Sequence, residues 1–192
     1  MSHASTHQSP EVVAFGQHLN RLQGPLFGFV QGMIGDREHA RDIVQDVFVD
    51  AWRLASRGAP PFANEEDEPG ARRWLFHAAY WRAISVTRRA RVIRWEPLDM
   101  STESVHERYV EQRPFEDRVV EGEALRQALA ALAAEDAACI LLSVVQVMSS
   151  SEIAQVLGIS PDAAKKRVSR AKQRLRAAYF ALEARTTEEH PR

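Results

Sequence analysis

Two stretches of the chain carry residue types suited to holding nucleic acid. Between Ala71 and Trp95 stand seven arginines (Arg72, Arg73, Arg82, Arg88, Arg89, Arg91, Arg94) and no acid, with Trp74, Phe76, Tyr80 and Trp81 interleaved. Rings beside guanidinium groups suit unpaired bases, because a ring stacks on a base while a guanidinium holds a phosphate. The second stretch runs from Pro161 to Arg176, with seven basic residues (Lys165, Lys166, Arg167, Arg170, Lys172, Arg174, Arg176) against the single acid Asp162. It follows a short apolar segment in which Ser149 and Glu152 have capping-box spacing, then Gly158, Ser160 as a cap and Pro161 at a first helical position. A capped short helix, a glycine turn and a basic helix describe a helix-turn-helix, whose second helix enters the major groove. Helical spacing turns Asp162, Lys165, Lys166, Ser169 and Arg170 toward DNA and packs Ala164, Val168, Ala171 and Leu175 inward. Lys172 and Arg174 then fall to phosphates.

Aromatic residues at helical spacing are core by default. Trp74 and Trp81, seven apart, share one face, and Phe76 and Tyr80, four apart, share another. Both faces cannot be wholly buried, so some aromatic surface is expected to face a partner.

Helices are the elements that must position these residues. From Glu11 to Ile34, apolar residues recur at Val12, Phe15, Leu19, Leu22, Leu26, Phe29, Val30 and Met33, and Gly35-Asp36 breaks the run. From Asp36 to Arg53 the apolar positions Ala40, Ile43, Val44, Val47, Phe48, Ala51 and Trp52 form one face and Asp42, Asp46 and Asp50 another. Such a stripe is either simply solvated or docks on a basic partner surface. Gly58 to Gly70, with Pro60-Pro61, Pro69 and Glu65-Glu66-Asp67-Glu68, reads as a loop. Helix resumes from Arg72 to about Arg91. The interval 96–118 is acidic and poor in apolar residues, a linker. Helical periodicity returns near Val119 with Leu125, Ala128, Leu129 and Leu132, and Ile140, Leu141, Val144 and Val145 mark a further helix. The expected fold is all-α: two small helical domains at 11–95 and 119–182 joined by a flexible acidic linker, with a disordered N-terminus at 1–10 and a polar tail at 183–192.

Composition narrows the functional classes. The net charge is −1, but the two basic segments are separated by acidic ones, which suggests two nucleic-acid contacts on one chain. The lone cysteine, Cys139, lies in an apolar run and reads as a small buried hydrophobe in a reducing, cytoplasmic setting. No stretch approaches a membrane span, and residues 1–10 lack the apolar core of a signal peptide. Catalysis, a metal site and a cofactor are not expected: there is no P-loop, no metal-ligand spacing and no nucleophile motif, and the seven histidines are scattered. A stand-alone helix-turn-helix repressor or activator, with a dimerisation or ligand domain, is the competing class. The arginine–aromatic helix and the acidic linker speak against it.

Three segments resemble the sigma factors of bacterial RNA polymerase. Ala40-Arg41-Asp42-Ile43-Val44-Gln45-Asp46-Val47-Phe48 is similar to the polymerase-binding helix of sigma region 2. Trp74-Leu75-Phe76-His77-Ala78-Ala79 followed by Arg88-Arg89 is similar to its strand-melting helix, and Glu152 to Ser160 followed by Lys165 to Arg174 resembles sigma region 4. They occur in the family's order, and the short interval between the halves points to the extracytoplasmic-function group. Trp81 and Ser85 stand where that family usually has asparagine and aspartate, and Ala163-Ala164 where it has threonine-valine.

The resemblance implies a promoter-recognition subunit and not an enzyme. Asp42, Gln45, Asp46, Val49 and Asp50 would dock on the clamp helices of the largest polymerase subunit. Phe62, Arg73, Trp74, Phe76, His77, Tyr80, Trp81, Ser85, Arg88 and Arg89 would hold the opened minus-ten strand, with the Phe62 loop as a pocket for a flipped base. Ser160, Asp162, Lys165, Lys166, Arg167, Ser169, Arg170 and Lys172 would read the minus-thirty-five duplex, beside the polymerase flap. An anti-sigma factor would hold the protein inactive. About two dozen extended linker residues reach roughly 80 Å. Two elements about 17 base pairs apart are separated by roughly 58 Å at 3.4 Å per step.

Overall fold

The computed structural model describes residues 10–57, 67–93 and 118–189; Phe62 and most of the acidic linker lie outside them. No strand occurs among the described residues. In the first half, α1 spans Pro10–Ile34, α2 Arg37–Ser56 and α3 Glu68–Ile93. In the second, α4 spans Arg118–Ala130, α5 Ala134–Ile140, α6 Ser150–Leu157 and α7 Pro161–Glu189. Helix α5 runs on into a π-helical turn at Leu141–Val145.

Local chemistry sets the breaks. Gly35 takes a left-handed φ of 75°, and its N–H bonds the Gln31 carbonyl at 2.8 Å, closing α1. Asp36 then caps α2 by accepting the His39 N–H at 2.9 Å. That bond, above all, holds the Asp36 carboxyl below its ordinary pKa.

Helix α3 begins earlier than its composition suggests, because the end of the expected 58–70 loop is helical. Asp67 accepts the Gly70 N–H at 2.8 Å as a cap, and Pro69 sits in the first turn, where a missing N–H costs nothing. A Cβ at Gly70 would fall 1.9 Å from Asp67 Oδ2, so only glycine lets this cap close. At the other end of the chain, the helix that carries the basic stripe continues to Glu189, through most of the expected polar tail.

The apolar faces meet in one continuous core. Leu26, Phe29 and Val30 of α1 and Val47 of α2 pack with Leu75, Phe76 and Ile84 of α3. The Phe29 and Phe76 rings lie 5.1 Å apart at 56°. The same core runs on through Leu142 to Ile153 and Val156 of α6 and Ala164 and Ala171 of α7.

The two bundles therefore pack against each other, α3 on α5 and α6, and α1 on α4 and α5. At one point they approach so closely that a Cβ on Gly32 of α1 would lie 2.7 Å from Leu141 Cδ1. The π turn puts Gln146 inside this joint. Its buried side chain accepts from Arg72 Nη2 at 3.0 Å and donates to the Pro25 carbonyl at 3.5 Å. Arg72 also donates to the Gln146 backbone carbonyl.

Val144 and Val145, read as apolar positions of a regular helix, are instead exposed. The wider i→i+5 turn, closed by Gln146 N–H to Leu141 O at 2.9 Å, rotates them outward while Gln146 turns in. Removing a core ring should be costly: Phe76→Ala is expected to lower unfolding free energy by about 3–5 kcal/mol in urea denaturation followed by circular dichroism.

Candidate nucleic-acid interface

The helix-turn-helix forms as its sequence signals suggest. The Glu152 carboxylate accepts the Ser149 N–H at 2.8 Å, and Ser149 Oγ accepts the Glu152 N–H at 3.3 Å, a complete capping box on α6. Gly158 ends α6 with φ 67°. The Ile159 N–H returns to the Ala154 carbonyl at 3.0 Å, and Ser160 Oγ accepts the Ala163 N–H at 3.2 Å to start α7.

On α7, Ala164 and Ala171 are fully buried and Val168 and Leu175 pack on the core, the inward face that helical spacing predicted. Ser160, Asp162, Lys165, Lys166, Ser169, Arg170 and Lys172 are exposed. Two basic residues depart from the expected stripe. Arg174 donates to Asp136, a carboxylate buried on α5, and so neutralises an internal charge while its own side chain stays 59% exposed. Arg167 is half buried, and its charge acts on Tyr80 and Cys139, which places it on the flank nearer α3 and α5.

The rings of α3 divide. Phe76 is fully buried and Tyr80 nearly so, so that neither ring lies on the surface of the packed chain. Burial, with the Glu135 charge nearby, raises the Tyr80 hydroxyl above its ordinary pKa. Trp81 remains 41% exposed, in edge contact with Tyr80 at 5.3 Å and His77 at 6.3 Å. Trp74, Arg73 and His77 are half buried, and Ser85, Arg88 and Arg89 are exposed.

Part of this helix faces the other bundle. His77 Nδ1 lies 2.8 Å from the Val156 carbonyl oxygen. A carbonyl only accepts, so Nδ1 carries the hydrogen and donates it. A Cβ on Gly158 would meet the Trp81 ring at 3.7 Å, and Arg88 lies 4.0 Å from Glu135 of α5.

On α2, Asp42, Gln45, Asp46 and Val49 are exposed and Asp50 is half buried. Arg82 of α3 reaches across to this stripe, donating to Asp50 and lying 3.8 Å from Asp46. An adjoining face of α2, which shares Gln45 and Val49 with that set, forms a groove with α1 lined by Leu19, Phe27, Phe48 and Trp52, with Arg37, Arg41 and Arg53 among its residues. Sequence reasoning missed Arg72, Gln146, Arg82 and the Asp136–Arg174 pair. None carried a distinguishing local signal, since Asp136 stands beside a second acid, Glu135, at the head of the apolar run that ends at Leu142.

Part of the second half resembles a known protein family. Residues 122–175 match the family model of sigma-70, region 4. Over these residues the chain is similar to sigma-70, region 4. The match opens inside α4 and closes at Leu175, so it takes in α5, the turn, α6 and the basic face of α7.

The fold of most of the chain is shared with two solved structures. The sigma factor RpoE from Bartonella quintana, in complex with the anti-sigma factor NepR, aligns with TM-score 0.62 at 22% identity over 85% of this chain and 95% of that one. CnrH, in complex with the cytosolic domain of CnrY, aligns with TM-score 0.60 at 24% identity, over 87% of this chain and 88% of that one. No curated protein matches by sequence.

The capping box makes a pH test of the region 4 fold. Hydrogen bonds from Ser149, first its hydroxyl and then its N–H, hold the Glu152 carboxyl below the ordinary value of 4.5. A carboxyl whose folded pKa is depressed stabilises above its unfolded value and loses that contribution as pH falls through the folded one. Thermal melts should therefore show α6 losing stability below about pH 4.5, and Ser149→Ala, costing about 1 kcal/mol near neutrality, should flatten that acid dependence.

Proposed function

We propose that this chain is a sigma factor of the extracytoplasmic-function type. In this reading it binds core RNA polymerase through α2, reads the upstream promoter duplex with the outer face of α7, and contacts the opened downstream strand with α3. The observation that carries the proposal is the region 4 match on a helix-turn-helix whose basic residues point outward, joined to a first bundle with the acidic α2 and the arginine–aromatic α3 in the expected order. The fold shared with RpoE supports it. The chain acts in the cytoplasm as a binding subunit, not as an enzyme.

The strand-contacting set is narrower than the sequence suggests. Trp81, Trp74, Arg73, His77, Ser85, Arg88 and Arg89 retain exposed or half-exposed surface. Phe76 and Tyr80 shape that surface from beneath. Because RpoE is seen with an anti-sigma factor, an anti-sigma partner is proposed here too. Engaging both promoter elements at once requires the bundles to part, since their separation on DNA is roughly 58 Å at 3.4 Å per step.

Co-purification with core polymerase, followed by run-off transcription from a randomised promoter library, tests the proposal. The wild-type chain should bind and support initiation. Asp42→Lys with Asp46→Lys should remove core binding while circular dichroism shows helicity intact, since like charge is then placed against the partner's basic surface. A chain that binds duplex DNA but never core polymerase would instead be a stand-alone helix-turn-helix regulator.

Within α7, Arg170→Ala should cost about 1–3 kcal/mol and relax preference at one base position, the signature of a base contact. Lys172→Ala should weaken every sequence alike and reduce the salt slope by roughly one unit at most. A binding series over salt and single-base variants separates them; an Arg170→Ala loss equal across all variants would make Arg170 a phosphate contact.

A further inference from the structure

Arg82 sits where the two proposed surfaces of the first bundle meet. It extends from α3 to α2, donating through Nη2 to Asp50 Oδ2, with Nη1 3.8 Å from Asp46 Oδ2. Both acids belong to the stripe assigned to polymerase docking. On its own helix, Arg82 immediately follows Trp81 and shares a face with Ser85 and Arg89, three and seven residues on, both in the proposed strand-contacting set. One guanidinium therefore touches the docking stripe while standing in the row that would meet DNA.

Its chemistry makes the position consequential. Arginine does not deprotonate in proteins, so its charge can only exchange one anion for another. The planar fork that spans two carboxylates also suits a phosphate. The pairs are open enough for exchange: side-chain exposure is 37% for Arg82, 39% for Asp50 and 68% for Asp46. Asp50 has a second neighbour in Arg53 at 3.7 Å, so it does not depend on Arg82 alone.

We infer that Arg82 is a phosphate contact held in reserve: in the free chain Asp46 and Asp50 neutralise it, and docking of a basic surface on those acids releases it to the single strand. Docking and strand binding are then coupled through one side chain, and the coupling is reciprocal, with bound DNA strengthening docking by the same factor. An exposed ion pair changes an equilibrium at most roughly five-fold, so Arg82 biases the free chain and does not lock it. The inference rests on the proposed docking and strand-contacting roles of α2 and α3.

The test uses the full chain and a labelled oligothymidine in fluorescence anisotropy. Asp50→Asn, which removes the nearer of the two acids on Arg82 without polymerase, should tighten strand binding by roughly two- to five-fold, within the range of an exposed pair. It should also steepen the salt slope by about 0.7, one extra phosphate on a single strand. Glu38→Gln removes an equal charge from an exposed position of α2 outside this pairing and should leave the affinity unchanged. In an Arg82→Gln background, Asp50→Asn should give no gain. Arg82→Lys, which keeps the charge, should restore part of it and serves as the second background should Arg82→Gln fail to fold.

A gain that survives Arg82→Gln, or equals that of Glu38→Gln, is general charge removal and overturns the inference, as does no gain at all. Core-polymerase binding by the same proteins is read separately. Its absence in the wild-type chain sinks the docking reading, while the oligothymidine cycle still decides whether Asp50 restrains Arg82.

Discussion

Helix α3 has to satisfy two neighbours at once. Phe76, Leu75 and Ile84 close the core against α1 and α2, while His77 meets α6, Trp81 the glycine that ends it and Arg72 the turn before it. A helix has one circumference, so each residue given to packing is lost to recognition. That constraint divides its rings into buried Phe76 and Tyr80 and open Trp81, and it leaves Arg82 at the edge of the packed face, where it reaches the acids of α2.

The joint between the bundles is polar as well as apolar. Buried Gln146 bonds Arg72 of α3 and Pro25 of α1, so one amide ties three helices. An amide inside a core loses heavily if its partners leave without replacement. The π turn delivers it there, and the same turn exposes Val144, Val145 and Val147, the last at a positive φ of 53°. Water can replace those partners when the halves separate, which makes this seam easier to open than an apolar one of equal area.

Most of the fold was legible because its signals are local. Gly35-Asp36, the Ser149–Glu152 box and Gly158-Ile159-Ser160-Pro161 each act within a few residues, and each lies where its chemistry demands. The inward face of α7 followed from spacing alone. The start of α3 was hidden because an Asp67–Gly70 cap and Pro69 look like loop composition. The surface was less legible than the fold, since burial of Phe76 and Tyr80 depends on which bundle claims each side of α3. The pairings of Arg82 with Asp50, Arg174 with Asp136 and Arg72 with Gln146 link residues 32, 38 and 74 positions apart. No periodicity records such partners.

Cys139 lies in the same core, and burial pushes its thiol up to about 12. At neutral pH such a thiol is almost wholly protonated, and the thiolate is the form that oxidants, metals and electrophiles attack. It is also the only cysteine in the chain. Cys139 therefore serves packing and not redox chemistry: a sulfur so enclosed and so weakly acidic offers an oxidant neither access nor a nucleophile.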